Sequence, residues 1–469
     1  MTYHCLDNLE PASFFRWFGE ISAIPRGTGK EGQFIAFLQQ FAAERKLSCT
    51  TDRSGNVFMR VPAAAGYEAQ PSILFQAHMD MIWKCAEGVE FDFNTQPLEL
   101  YVDGDFLRAR GTTLGADNAV GLATMLALAD DPAIPHPALE LLFTVAEEGG
   151  MVGIRVFDPA TVTSRRMINM DCGDSHVLCV SSAGKNDLGI DCTFPTEKAE
   201  GQALRLTLSG GKGGHPGLCA NLGRFCAANA LGDLLFALPA FRLCSLKGSE
   251  AIMGWSEAVI LAPEGSEALL QRRFAAIKTV FAQTDPDVML TVQPCDAAAA
   301  LSEADSRRVM LCLMHLRSGQ SRCDGHRPEN IVTSGAIIGL SLEAGAFSLR
   351  FRLRSTIAAD SDLHYDRLRS ILPLELKSLD SYNGWTELTN SPFRDKFQRV
   401  HTALFGAPMN LERCPGGVEV GILTSLVPGM DAVGVAPTGR GAHSPDERLY
   451  ISETADYWKL LLAVLAEKE

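Results

Sequence analysis

The hydrophobic periodicity of this 469-residue chain changes character twice, and this limits the available folds more than any other feature. In the first part, helical and strand patterns alternate. Phe34 to Leu38 and Phe41 fall at helical spacing, and Asn56 to Val61 reads as a strand. Ser72 to Ala77 and Leu139 to Val145 read as buried strands, with an apolar helix from Ala119 to Ala129 between them. Arg166 to Met170 is a shorter strand. Strands separated by helices predict an α/β layer with a mixed, largely parallel sheet flanked by helices.

The middle differs. Leu204 to Leu208 and Phe347 to Arg352 alternate as antiparallel strands do, with helical stretches at Gly223 to Leu238 and Ser266 to Ala282. This predicts an α+β region with antiparallel sheets. The end returns to the first pattern, with a strand at Asp431 to Val435 and a helix from Ser452 to Leu465. The expected division is 1–185 and 386–469 as one discontinuous domain, interrupted by a second domain at 186–385. A chain of this length exceeds what one simple core supports.

Composition narrows the function. The apolar fraction of 46% and charged fraction of 21% are those of a globular protein. A net charge of −14 argues against a nucleic-acid protein, which needs a basic face for phosphates. The N-terminus lacks the basic start and apolar core of a secretory signal, and no uncharged apolar run approaches the ~18 residues of a membrane span. A cytoplasmic protein without membrane partners is expected. The 13 cysteines are odd in number and form no Cys-x-x-Cys pair, so free thiols in a reducing compartment are expected.

Several segments place metal-ligand side chains at the ends of strands or in turns. In open α/β sheets ligands bind outside the carboxyl ends of the strands. His78 follows the strand through Ala77, and Asp80 is spaced to accept a hydrogen bond from its other ring nitrogen. Alone, the pair also reads as a strand-end histidine beside a surface aspartate. Gly111 to Ala119 is a polar, glycine-rich turn that delivers Asp117 just before the apolar helix, where it can cap, ligate or do both. Glu147 and Glu148 follow an apolar strand and precede two glycines. Adjacent carboxylates there repel unless a cation or proton compensates, although an exposed acidic turn is the plainer alternative. Asp171 ends another strand, and His443 lies in a turn-like stretch before the terminal helix.

Together these segments supply two histidines and at least three carboxylates, an N/O set suited to zinc, cobalt or manganese. Five ligands are too many for one tetrahedral ion with an open position. They suit two ions sharing a bridging carboxylate, with a free carboxylate nearby as general base.

The order His-x-Asp-Met, Gly-Thr-Thr-Leu-Gly-Ala-Asp-Asn, Glu-Glu-Gly, Asn-x-Asp, His-Ser-Pro-Asp-Glu-Arg resembles the aminoacyl-histidine dipeptidases. These are also called Xaa-His dipeptidases or peptidase D, and are relatives of the di-zinc carnosinases and aminoacylases. The likeness runs from Ile24 to Trp458. It implies a catalytic α/β domain interrupted by a lid domain. His78 and Asp171 would bind one zinc, Glu148 and His443 the other, and Asp117 would bridge both. Asp80 would orient His78. Glu147 would be the general base for a hydroxide bridging the ions. In Gly210 to Gly217 the resemblance makes His215 the residue that stabilises the oxyanion; without it, His215 reads as a loop histidine. Arg354, of an Arg-Ser pair, and Glu419 would contact substrate.

Other lid positions depart from the family. Glu250 to Trp255 replaces an Asn-Ala-Ile-Pro-Arg-Glu string, and Pro415 stands where the family has histidine. The expected activity is hydrolysis of a dipeptide amide bond with two divalent ions, on a small peptide or acyl amino acid substrate. Hydrolysis of N-acyl amino acids or another small amide, or metal binding without turnover, stays open. Pairing into a homodimer through the lid is a further implication of the resemblance.

Overall fold

The computed structural model describes residues 3–217, 219–248, 252–325 and 330–468. The chain forms two compact units, one of residues 1–181, 385–414 and 418–469, the other of 182–384 and 415–417.

The first unit is built on an eight-stranded sheet. Its order is Ser48–Thr51, Val57–Val61, Leu139–Thr144, Ile73–His78, Arg166–Asn169, Asp431–Gly434, Val177–Ser182, Asn410–Cys414. Pairing is parallel at the centre, where Ile73–His78 lies between Leu139–Thr144 and Arg166–Asn169, and Arg166–Asn169 pairs with Asp431–Gly434. It is antiparallel toward the edges. All six residues of Ile73–His78 and of Leu139–Thr144 are buried, as expected of central parallel strands packed on both faces.

The register explains what gathers at one edge of this sheet. His78 is level with Thr144, and Gln76 with Asn169. The residues that follow these three strands therefore emerge together, and they include Asp80, Glu147, Glu148 and Asp171.

The helix Ala116–Asp130 is apolar nearly all round and lies against this sheet. Gly121 permits the close approach: a Cβ there would stand 2.6 Å from Ala77 Cβ and 3.0 Å from Met170 Cβ. A small four-stranded sheet orders Gly439–Arg440, Arg448–Tyr450, Phe106–Ala109 and Leu100–Asp103, and the turn carrying His443 connects its first two strands. His443 itself adopts a left-handed conformation, φ 62°.

The second unit has an antiparallel sheet in the order Met289–Cys295, Ala203–Ser209, Ser256–Leu261, Arg242–Gly248, Ile331–Glu343, Ala346–Ser355, Gly184–Thr193, Lys377–Tyr382. Gly319–Cys323 pairs with Ile331–Glu343. Helices Ala227–Leu235, Ser266–Val280 and Glu303–His315 supply much of its separate core. The helix expected from Gly223 starts only at Ala227, because Gly223 takes a left-handed conformation at φ 60°. All thirteen cysteines are free thiols. Among the described residues no helix is long and apolar enough to cross a membrane.

Candidate metal centre

Asp117 stands between the two histidines. Its Oδ1 lies 2.9 Å from His78 Nε2, and its Oδ2 lies 3.1 Å from His443 Nε2. On one side, His78 Nε2 is also 3.2 Å from Asp171 Oδ1. On the other, His443 Nε2 contacts Glu148 Oε1. Donor atoms of His78, Asp117 and Glu148 all lie within 4.8 Å of one another.

Within the first turn of the helix, Asn118 Oδ1 accepts from the Gly121 N–H at 3.2 Å, as a capping side chain does. This leaves both oxygens of Asp117 to face the imidazoles. Asp117 and Asn118 have non-helical backbone angles, which turns the Asp117 side chain out of the helix.

Asp80 holds two things. His78 Nδ1 lies 3.0 Å from the Asp80 carbonyl and 3.4 Å from its Oδ1. The carboxylate also accepts from the backbone N–H of Glu147 at 3.0 Å and of Glu148 at 3.2 Å. The turn between strand and glutamates passes through Ala146 at φ 51°, whose N–H donates to Glu31 Oε1 at 3.0 Å. A non-glycine residue in that region persists only where its surroundings over-determine it.

The electrostatics are those of a crowded anionic cluster. Burial pushes the Glu147 carboxyl well above the ordinary range, and Asp171, Glu419 and Glu148 push it the same way. Burial likewise raises Asp171 to about 6. Burial opposes charge on His78, but Asp171, Asp117 and Asp80 outweigh it and hold its pKa well up. Hydrogen bonds to the Asp117 and Glu148 carboxylates raise His443 to about 10. Asp117 is lowered: burial opposes this, and the two histidines overcome it. Carboxylates and imidazoles that draw protons together this strongly are a donor set that a multivalent cation can replace those protons in.

Several residues support this cluster, and of these only Glu419 was given a role in the sequence, as a substrate contact. Arg26, 1% exposed, donates to the carbonyls of Met79 at 3.0 Å, Asp80 at 3.2 Å and Gly115 at 2.5 Å. Glu447 accepts from the N–H of Gly115 at 2.7 Å and of Asp117 at 3.1 Å. Beneath His78, Asn169 Nδ2 donates to Gln76 Oε1 at 2.6 Å, and the Gln76 amide and Thr144 hydroxyl both donate to Glu419 Oε2. The available signal was one uncharged polar residue in each of three apolar strands. Glu419 itself is 1% exposed, and burial raises its pKa to about 8.

His215 and Arg354 belong to the second unit. His215 is exposed in the glycine-rich loop, and partial desolvation of its ring together with the charges of Arg354 and Arg352 lowers its pKa. Arg354 is 9% exposed, and its Nε and Nη1 have no hydrogen-bond partner among the described residues. Of the altered string at Glu250 to Trp255, residues 250 and 251 lie outside the described residues.

Histidines and carboxylates gathered beyond the carboxyl ends of parallel strands are the donor set of a metal-dependent hydrolase. The chain belongs to peptidase family M20/M25/M40, whose model matches residues 74–467. It is 27% identical to the cytosol non-specific dipeptidase of Escherichia coli (strain K12), over 98% of this chain and 99% of that protein. The crystal structure of the aminoacylhistidine dipeptidase from Vibrio alginolyticus superposes with a TM-score of 0.92 at 26% identity, covering 99% of this chain and 98% of that one. The fold alone is shared with the aminopeptidase PepT from Bacillus cereus ATCC 10987, at a TM-score of 0.59, 15% identity and 98% coverage of both chains.

Proposed function

We propose that this peptidase hydrolyses the amide bond of dipeptides at a pair of divalent metal ions. The observation that carries the reading is Asp117, with one carboxylate oxygen against each of two imidazoles and a further carboxylate beside each imidazole. His78 and Asp171 would hold one ion, His443 and Glu148 the other, and Asp117 both. Two nitrogens and three carboxylates fit zinc best, with cobalt or manganese acceptable. When bound, such ions acidify a water and polarise the scissile carbonyl.

The chain's own residues do the rest. Glu147 takes the proton from the attacking water and passes it to the leaving amine nitrogen; its raised pKa suits it to hold that proton between the two steps. Asp80 fixes the Glu147 backbone and the His78 ring. In the second unit, His215 stabilises the oxyanion as a hydrogen-bond donor. Arg354, buried with two donor nitrogens unpartnered among the described residues, takes the carboxylate at the C-terminal end of the substrate. The Escherichia coli and Vibrio alginolyticus relatives are both dipeptidases, which supports the substrate class. The Escherichia coli relative is a cytosol protein, which supports a cytoplasmic location. Pairing of two chains through the second unit is part of the proposal, and sedimentation at micromolar concentration tests it.

The decisive variant is Glu147→Ala. It is expected to retain two divalent ions per chain by elemental analysis and to lose about 100- to 10,000-fold in kcat, the usual contribution of a general base. Full activity in this variant would sink the mechanism. A substrate panel of dipeptides, Xaa-His peptides and N-acyl amino acids checks the class; hydrolysis confined to N-acyl amino acids would replace it.

A further inference from the structure

A cavity of about 280 Å³ opens beside Asp117 and Asp171 within the first unit. Val120, Met170, Ala436 and Pro437 line part of it; besides the candidate ligands Asp117 and Asp171 and the buried Glu447, which accepts from the backbone, its charged side chains are Asp174 and Arg440. Those two side chains are locked together. Arg440 Nη1 lies 3.0 Å from Asp174 Oδ1, and Nη2 lies 2.9 Å from Oδ2, the two-pronged geometry that suits guanidinium and carboxylate. Arg440 also donates to the Gly439 carbonyl. The Arg440 side chain is 50% exposed and that of Asp174 24%, so the pair borders the open part of the cavity rather than the core.

We propose that this cavity receives the side chain of the N-terminal residue of the substrate, and that the Arg440–Asp174 pair sets its charge preference. The inference rests on the dipeptidase reading above. The N-terminal residue supplies the scissile carbonyl, so its Cα is bonded directly to the carbon under attack. The Cα of the C-terminal residue is one bond further away. A cavity that shares Asp117 and Asp171 with the candidate metal ligands is therefore placed for the N-terminal side chain.

The chemistry of the walls selects what enters. The aliphatic lining favours a branched apolar side chain. Each charge of the pair is already engaged by the other. A cationic side chain finds Asp174 taken, an anionic one finds Arg440 taken, and either one meets a like charge and loses hydration. An uncharged side chain suffers neither effect. Breaking the pair from one side leaves the other charge free, so the preference should change sign with the residue removed.

The test uses the full-length, metal-reconstituted protein with Leu-Ala, Lys-Ala and Asp-Ala. Wild type is expected to favour Leu-Ala in kcat/KM by about tenfold or more over both charged peptides. Arg440→Leu should raise Lys-Ala relative to Leu-Ala by about tenfold, and Asp174→Asn should do the same for Asp-Ala. Both side chains are partly exposed, so melting temperatures close to wild type are expected and show that folding is not the cause. A uniform loss across the three peptides in both variants would overturn the proposal in favour of a structural pair. If wild type cleaves none of the three, the dipeptidase reading falls separately. The cavity is then judged by calorimetric binding of the same peptides: a charge-dependent reordering of Kd supports the assignment, and an unchanged order overturns it.

Discussion

Glu419 is a buried carboxyl that accepts two hydrogen bonds on one oxygen, and its other oxygen has no partner among the described residues. Burial raises its pKa from the ordinary value of 4.5 to about 8. The folded state therefore binds a proton that the unfolded state releases between those values, and stability falls as pH rises through that window. Glu419→Gln mimics the protonated form. Its melting temperature relative to wild type is expected to improve progressively from about pH 5 to pH 8, and to show no such gain below the ordinary carboxylate range. A constant difference across pH would refute this.

A second expectation at this scale concerns the ligands. His443, raised to about 10, and His78 must give up protons before a cation can take their nitrogens. Metal binding should release protons, and apparent affinity should weaken as pH falls. Calorimetry in two buffers of different ionisation enthalpy reads the proton count directly; equal heats in both would contradict the linkage.

Among the elements, the strand Ile73–His78 and the helix Ala116–Asp130 do most to place the site. The strand was legible because burial on both faces demands a continuous apolar run. The helix was legible from its apolar sequence, but its first turn was not. Which of Asp117 and Asn118 caps it depends on what lies opposite, and two histidines from distant segments draw Asp117 away. The hairpin of Leu100–Asp103 and Phe106–Ala109 carried little signal, since its strands are short and half exposed. The helix Pro392–Phe405 did carry a start signal, with Ser391 accepting from the Arg394 N–H and proline in its first turn. Its polar residues outweigh its apolar stripe, however, and hide the periodicity. At the contact of helix and sheet, Gly121→Val should cost about 2 kcal/mol, because its side chain meets Ala77 and Met170 with no room to shift. Activity should fall with it, since Asp117 rides on the same helix. Denaturant unfolding of the variant checks this, and a midpoint equal to wild type would refute it.

For the whole molecule, the consequence of a discontinuous first unit is order of assembly. The strand Asp431–Gly434 lies inside the sheet, between Arg166–Asn169 and Val177–Ser182, and comes from the last forty residues of the chain. A fragment ending at residue 384 therefore exposes two strand edges within its sheet and lacks His443. It is expected to be aggregated or unfolded by circular dichroism and size-exclusion chromatography; a monodisperse, cooperatively melting fragment would refute this.

Side-chain chemistry and periodicity are properties of short segments, so the sequence by itself determined which residues could bind a cation, which strands are buried and where the chain changes character. Distance between segments is not such a property. That Asp117 meets His443, 326 positions away, is decided by strand register and by the turn between Gly439–Arg440 and Arg448–Tyr450. The same holds for Arg26, Glu447 and the Asn169–Gln76–Glu419 chain. Each is an ordinary polar residue locally, and only packing takes it out of water and obliges it to find its partner.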